Sequence, residues 1–122
     1  LFGPPFIHPS IMMRKESYDL LNGYTVASRT NRGQDWDLWF RFYAAGLKGY
    51  NLQETLIVYH ESPDDLKKRT FQSALGYTKT AINGYKLLKV PLWNYFFSIK
   101  PIISFIIPEA IKKKIRREKF IR

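Results

Sequence analysis

The chain has 122 residues, enough for one domain or part of one, and its 45% hydrophobic and 16% aromatic content excludes an intrinsically disordered protein. The absence of cysteine excludes disulfide bonds, zinc-thiolate sites and cysteine nucleophiles, and it fits a reducing compartment. The formal charge is +10, and ten of the basic residues but only two acids lie from Lys86 onward, so we expect that end to meet an anionic partner.

The ends of the sequence and a change in its composition predict the organisation of the chain. The sequence starts at Leu1 rather than Met, so we interpret it as a fragment of a longer protein. It carries no recognisable secretory signal. Beyond Pro91 the residues become almost entirely apolar and then basic. We therefore expect two parts, a core over residues 1–88 and an apolar and basic helical tail over residues 89–122.

Two segments have the pattern of β-strands. Apolar side chains alternate with others over residues 6–14, which predicts a strand, and Pro9 favours an edge position or an interruption there. Residues 55–60 are apolar and β-branched, which predicts a buried strand.

Two short segments have helical signals. Residues 15–21 are expected to form a helix that stops at the Asn22-Gly23 pair. Residues 34–45 place apolar side chains at helical spacing, and Gly46 follows as a stop signal, so an amphipathic helix is expected there.

A longer helix is expected after the second strand. Ser62 is suited to cap it, Pro63 to occupy its first position, and acids follow in the first turn. This helix should run to about residue 88, with Gly76 and Gly84 as weak points.

Asp35 and Asp37 open the predicted helix 34–45. Free backbone N–H groups and the helix dipole favour ionised carboxylates in a first turn. Asp35 follows a glycine-containing loop and can face a cleft, where it would suit a general base, whereas Asp37 should point elsewhere. The alternative from spacing alone is that both are ordinary helix-start acids.

The segments PFIHPSIMMRKESYDLLNGY and GQDWDLWFRFYAAGLKGYNLQETLIVYH, within residues 5–62, resemble the second half of the GT-A domain of family 2 glycosyltransferases. These enzymes build bacterial capsule and O-antigen polysaccharides from nucleotide sugars. The resemblance implies an α/β fold: a partial GT-A (nucleotide-diphospho-sugar transferase-like) domain followed by a mainly helical C-terminal region. It also implies an inverting hexosyltransferase-like parent, of which this chain alone should be inactive.

The resemblance assigns roles to particular residues. Asp35 occupies the position of the base that deprotonates the acceptor hydroxyl. Acceptor or substrate contacts fall on five further positions, which are His8, Arg14, Gly23, Gln34 and Trp36. The family usually has Glu where this chain has Gln34, which removes a charge without altering the role of Asp35.

Several of these residues also have structural interpretations. His8 would equally suit a buried, hydrogen-bonded position, and Arg14 a surface ion pair. Trp36 and Trp39 would either pack in the core or offer a ring for stacking on a sugar.

The resemblance also implies a divalent metal, Mn²⁺ or Mg²⁺. His60 matches a late histidine that binds the metal or contacts the diphosphate, although Val58 stands where an arginine is frequent. The main Asp-x-Asp metal motif would lie in the N-terminal half that is missing here, and we do not interpret the letters Asp35-Trp36-Asp37 as that motif. The expected partners are a nucleotide-sugar donor and a saccharide or lipid-linked acceptor.

The tail predicts contact with a membrane. Aromatic residues from Trp93 to Phe97 precede an apolar run that Lys100 and Pro101 interrupt, so no simple spanning helix is expected. A basic segment follows, which is typical of a chain lying at an anionic membrane surface. We therefore expect a cytoplasmic protein, peripheral on the inner face of the cytoplasmic membrane; the alternative is that residues 92–107 pack on the parent enzyme.

Other functions remain open. A nucleic-acid-binding module fits the charge but shows no binding signature, and we expect no nucleic acid partner. A non-catalytic membrane-binding segment is a further alternative. Exposed strand edges of a partial sheet would also allow self-association.

Overall fold

The computed structural model describes residues 5–58, 60 and 70–107. Four α-helices lie in this part of the chain, and they are α1 (Lys15–Leu20), α2 (Gln34–Ala44), α3 (Phe71–Leu87) and α4 (Lys100–Ile106). Three 3-10 helices also occur, at His8–Ser10, Ser28–Thr30 and Leu92–Ile99. The described part of the fold is therefore mainly helical.

The first predicted strand, over residues 6–14, is wrong. His8–Ser10 form a 3-10 turn, and the hydroxyl of Ser10 donates to the carbonyl oxygen of Ile7 at 2.7 Å. Ile11 has extended backbone angles, but a strand also needs a neighbour with which to exchange hydrogen bonds. No such neighbour exists among the described residues, so the segment wraps over the core as a loop.

The second predicted strand, over residues 55–60, is also absent from what the structure describes. Residues 55–58 have no regular structure, and Tyr59 lies outside the described residues. Leu56 and Val58 are 66% and 78% exposed, so no other element among the described residues covers this apolar segment. The expected α/β class is thus corrected to mainly helical for the described residues, which also offer no strand edge for self-association.

The two predicted short helices are confirmed. Helix α1 ends in a turn at Asn22 and Gly23, both with positive φ, as the Asn-Gly pair predicts. Helix α2 follows Gly33 and ends before Gly46, whose φ of 73° is in the left-handed region that glycine adopts readily.

Helix α3 begins at a capping box. The hydroxyl of Thr70 accepts from the N–H of Ser73 at 3.1 Å, and the Ser73 hydroxyl accepts from the N–H of Thr70 at 3.0 Å. The predicted cap at Ser62 and the acids after it lie outside the described residues. The helix then continues through Gly76 and Gly84 to Leu87, close to the predicted end near residue 88.

Those two glycines lie where α3 contacts other elements of the fold. A Cβ atom on Gly76 would lie 2.9 Å from the carbonyl oxygen of Arg29, and one on Gly84 would lie 2.1 Å from the ring of Phe40. Between them, the Thr80 hydroxyl donates to the Arg29 carbonyl oxygen at 3.2 Å. Small residues at this spacing let α3 approach both α2 and the Ser28–Thr30 turn closely.

The main core lies under α2. Leu38, Trp39 and Phe42 are buried together with Leu21 from the end of α1. Partly buried side chains from the flanking loops cover this cluster, and these are Phe6, Ile11, Met13 and Leu47. The N-terminal loop is therefore held to α2 by apolar contact rather than by sheet pairing.

The first part of the predicted tail packs on α3. The ring of Tyr95 lies 5.6 Å from that of Tyr85, and the ring of Phe105 lies 5.8 Å from that of Phe71. The expected basic helix over residues 108–122 lies outside the described residues. Within the described part of the chain, no helix combines the length and the hydropathy needed to cross a bilayer.

Candidate functional site

The two acids of α2 have different surroundings. Asp37 is 6% exposed, and three side chains donate hydrogen bonds to its carboxylate. Arg29 reaches Oδ1 at 2.5 Å, and Arg41 and Thr25 reach Oδ2 at 2.8 and 2.5 Å. Asp37 is therefore neutralised by two guanidinium groups, and it is unsuited to take a proton from a substrate.

The Asp37 network holds the loop before α2 in place. Arg41 also donates to the carbonyl oxygens of Leu21 and Gly23, the latter at 2.8 Å. The hydroxyl of Thr30 donates to the carbonyl oxygen of Thr25 at 2.7 Å. The helix end, the α1–α2 loop and the Ser28–Thr30 turn therefore form one connected polar unit.

The pKa of Asp37 is lowered. Burial by itself would raise this pKa, but the hydrogen bonds from Thr25, Arg29 and Arg41, with the charge of Arg29, outweigh burial. The carboxylate is thus ionised throughout the neutral range, as a structural ion-pair partner should be.

Asp35 lies in the same first turn but is half-buried and outside this network. Its carboxylate makes no hydrogen bond to any of the described residues, so its oxygens remain able to accept. The negative charge of Asp35 acts on the hydroxyl of Tyr24: the pKa of Tyr24 is raised by burial first, then by Tyr18 and Asp35. Asp35 and Tyr24 therefore lie within electrostatic range of each other.

Tyr24 is paired with His8. The Tyr24 hydroxyl lies 2.8 Å from Nε2 of His8, and the two rings are 5.8 Å apart and nearly perpendicular. The His8–Tyr24 pair also contacts the core, because the His8 ring lies 6.2 Å from the ring of Trp39. We call His8, Tyr24 and Asp35 the polar cluster, because His8 is hydrogen-bonded to Tyr24 and the charge of Asp35 acts on Tyr24.

Two buried nitrogen atoms border this cluster. Nδ1 of His8 and Nε1 of Trp39 have no hydrogen-bond partner among the described residues. Burying such groups without a partner costs about 1–3 kcal/mol each. These two nitrogen atoms are therefore a local cost to the packing of the His8 and Trp39 rings.

The other predicted contact residues make structural contacts or are exposed. The carbonyl oxygen of Gly23 accepts a hydrogen bond from Arg41, and Trp36 packs edge-on against Phe40 and Tyr77 with ring distances of 6.4 and 5.8 Å. Gln34 is exposed at the start of α2. Arg14 is exposed before α1 and forms no ion pair within the described residues.

His60 is exposed and stands between segments that the structure does not describe. No group of three or more His, Asp or Glu side chains suited to a metal ion occurs in the part of the chain that the structure describes. A single exposed histidine does not form a metal site, since divalent metals need several converging ligands. The described residues therefore do not fit the expected metal by themselves.

Sequence reasoning missed Tyr24, Thr25, Arg29 and Arg41. The pairing of Arg41 with Asp37 could have been predicted, because Arg41 follows Asp37 by four residues on the same helix. Tyr24, Thr25 and Arg29 come from a polar loop with no periodicity, so nothing in the sequence pairs them with α2.

Comparison with known proteins gives one informative relative. The chain is 38% identical over 117 residues to a protein of Bacillus subtilis (strain 168) named "Putative glycosyltransferase EpsE". This chain is a homologue of part of that protein. The match covers 96% of the chain but 42% of the relative, so the chain spans less than half of the relative's length. No family model matches the chain, and no solved structure gives a significant match.

Proposed function

We propose that the chain forms the acceptor-side part of an inverting GT-A glycosyltransferase, with Asp35 as its general base. The homology to a protein named as a glycosyltransferase supports the class. The donor is expected to be a nucleotide sugar, and the acceptor a saccharide or a lipid-linked saccharide of a capsule or O-antigen type. The donor-binding residues would lie outside this chain, which would be inactive alone.

The contrast between Asp35 and Asp37 carries this proposal. Asp37 is held by Arg29, Arg41 and Thr25, and its lowered pKa makes it a poor base. Asp35 makes no hydrogen bond within the described residues and is half-buried at a helix N-terminus. A carboxylate that is fixed by its helix but free to accept is suited to proton transfer.

The proposed reaction is a single displacement. The Asp35 carboxylate takes the proton of the acceptor hydroxyl while the acceptor oxygen forms a bond to the anomeric carbon. The bond from that carbon to the diphosphate breaks, and the nucleoside diphosphate leaves with the electron pair. The attack comes from the face opposite the leaving group, so the anomeric configuration inverts.

The polar cluster would orient the acceptor. The side chain of Tyr24 is 38% exposed, and its hydroxyl is a donor and acceptor of the kind that binds sugar hydroxyls. The Tyr24 hydroxyl is protonated and uncharged at neutral pH, and burial, Tyr18 and Asp35 raise its pKa further above its ordinary value. We assign acceptor binding chiefly to His8 and Tyr24, and we expect Gln34 and Trp36 to contribute at the rim.

A divalent metal would be held mainly by residues outside this chain, with His60 as a candidate ligand from this part. When bound, such a metal would neutralise charge that develops on the leaving diphosphate. The proposed role of Asp35 does not involve the metal.

The test uses a protein that contains both this chain and the donor-binding part. Nucleotide sugars are first screened for acceptor-dependent release of nucleoside diphosphate. In Asp35→Asn, kcat should fall about 10²–10⁴-fold with little change in donor affinity, because the amide keeps the size of the side chain but cannot accept the proton. Donor affinity is measured by calorimetry.

Asp19→Asn is the matched control, since Asp19 is an exposed acid on α1 whose ion-pair partner among the described residues is Lys15. It should leave kcat unchanged. Near-normal turnover in a well-folded Asp35→Asn protein would overturn the assignment, and so would a loss of turnover equal in the two variants. Thermal melting of each variant separates loss of chemistry from loss of fold.

A further inference from the structure

The 3-10 helix Leu92–Ile99 has polar residues inside and apolar residues outside. Its buried side chains are Asn94 and Ser98, which are 5% and 3% exposed. Leu92, Trp93 and Phe96 are 84%, 74% and 69% exposed. Soluble proteins usually bury apolar side chains and expose polar ones, so this arrangement is reversed. Contiguous exposed apolar groups mark a binding surface.

The orientation of this helix on α3 is set by its inner face. Tyr95 packs against Tyr85 of α3, and Asn94 and Ser98 are buried. Local hydrogen bonds maintain its turns: Ser98 donates to the carbonyl oxygen of Tyr95 at 2.7 Å, and the N–H of Asn94 donates to that of Pro91 at 2.9 Å. Turning the outward side chains inward would break the Tyr95–Tyr85 contact and expose Asn94 and Ser98.

The outward side chains form one row. A 3-10 helix has three residues per turn, so Trp93, Phe96 and Ile99 are aligned. Leu92 lies beside the row, and exposed Ile103 and Ile106 on α4 follow it in the chain. We call Leu92, Trp93, Phe96 and Ile99 the aromatic ridge.

We propose that the aromatic ridge inserts into the interfacial region of an anionic lipid bilayer. Trp and Phe are suited to this region, because their rings occupy the boundary between headgroups and acyl chains. Basic residues close to the ridge in the sequence select the sign of the lipid. Exposed Lys89 and Lys100 flank the ridge, and seven basic against two acidic residues follow between positions 108 and 122.

Burial of the aromatic ridge adds an apolar contribution to the free energy of membrane binding, separate from the contribution of charge. Attraction of the basic residues to anionic headgroups weakens as salt rises, whereas burial of apolar area does not. Binding through the ridge should therefore persist in part at high salt and place Trp93 below the headgroups. This inference does not depend on Asp35 or on sugar transfer.

The test measures binding of the purified full-length protein to vesicles of phosphatidylglycerol and phosphatidylcholine in equal parts. Sedimentation gives the affinity, and a lipid carrying a spin label at the top of its acyl chain gives the depth of tryptophan. Trp93→Ala with Phe96→Ala should weaken binding about tenfold or more. Trp93→Phe should still bind but lose the part of the quenching that Trp93 contributes.

The matched control is Tyr50→Ala with Leu52→Ala. Those side chains are 77% and 63% exposed and lie outside the ridge, so their loss should leave vesicle affinity unchanged. Unchanged binding of the ridge variant, with complete release of the wild type by salt, would mean that charge alone holds the protein and would overturn the proposal. Absence of tryptophan quenching by the spin-labelled lipid would also overturn it. The same holds for a dimer or an intramolecular contact that buries Trp93 in the lipid-free protein.

Discussion

Asp37 and Arg41 are joined across one turn of α2 by a 2.8 Å hydrogen bond, and the same guanidinium donates to the carbonyl oxygen of Gly23. The pair connects the helix to the turn that ends α1. An acid expected from the sequence to be a simple helix-start residue, worth a few tenths to 1 kcal/mol through the dipole, is thus the centre of a buried network.

Asp37→Asn should therefore destabilise the fold by roughly 2–4 kcal/mol, because it leaves Arg29 and Arg41 partly buried without their counter-charge. Urea denaturation followed by circular dichroism measures the loss. Asp19→Asn removes an exposed ion pair with Lys15 and should change stability by less than about 0.5 kcal/mol. Equal effects of the two substitutions would contradict the structural role of Asp37.

Stability should fall in acid partly through Asp37. Its pKa is lower in the folded state than in the unfolded state, so its contribution is present above the unfolded value and is lost as pH falls through the folded value. The stability difference between the wild type and Asp37→Asn should accordingly shrink as pH falls below about 4. Urea titrations at several pH values measure this difference. A difference that stayed constant down to full protonation would mean that the carboxylate charge contributes nothing.

Tyr24→Phe tests the acceptor cluster in the protein that contains the donor-binding part. The change removes the hydroxyl that pairs with Nε2 of His8 but keeps the ring contacts. We expect KM for the acceptor to rise about five- to tenfold, the effect of one lost hydrogen bond, with donor affinity unchanged. Tyr43→Phe, an exposed tyrosine on α2, is the control. A change in donor affinity alone would place Tyr24 outside the acceptor site.

Gly84→Ala tests the packing of α3 on α2. Alanine in a helix interior normally adds about 0.5–1 kcal/mol relative to glycine. Here a methyl group would meet the Phe40 ring at 2.1–2.4 Å, so we expect a net loss of about 1–3 kcal/mol. Thermal melting checks the sign against Asn83→Ala, an exposed neighbour that should gain slightly. A stabilised Gly84→Ala protein would show that the helices are not in close contact.

The sequence predicted the elements whose causes are local. Helices α1 and α2 follow from periodicity and from stop signals at Asn22-Gly23 and Gly46, all within a few residues of one another. The two strands failed because pairing depends on a distant partner that an alternating pattern cannot supply. The contacts of Gly76 and Gly84 could not be predicted for the same reason, since they lie on other elements.

The candidate site was predicted in part. The helix-start position of Asp35 and its separation from Asp37 follow from spacing on one helix. The loop contacts of Tyr24, Thr25 and Arg29 could not be predicted, because an aperiodic loop has no preferred face. The strand prediction for residues 6–14 also hid the pairing of His8 with Tyr24, which depends on the 3-10 turn at His8–Ser10.

The uncovered segment before Tyr59 has a consequence for solubility. Leu56, Ile57 and Val58 are consecutive, β-prone and 48–78% exposed, which is the pattern that recruits other chains into intermolecular β-structure. The net charge of +10 opposes this by repulsion between molecules. The isolated chain should therefore stay dispersed at low ionic strength and precipitate as salt screens the charge, and an Ile57→Lys substitution should raise the salt concentration at which this occurs.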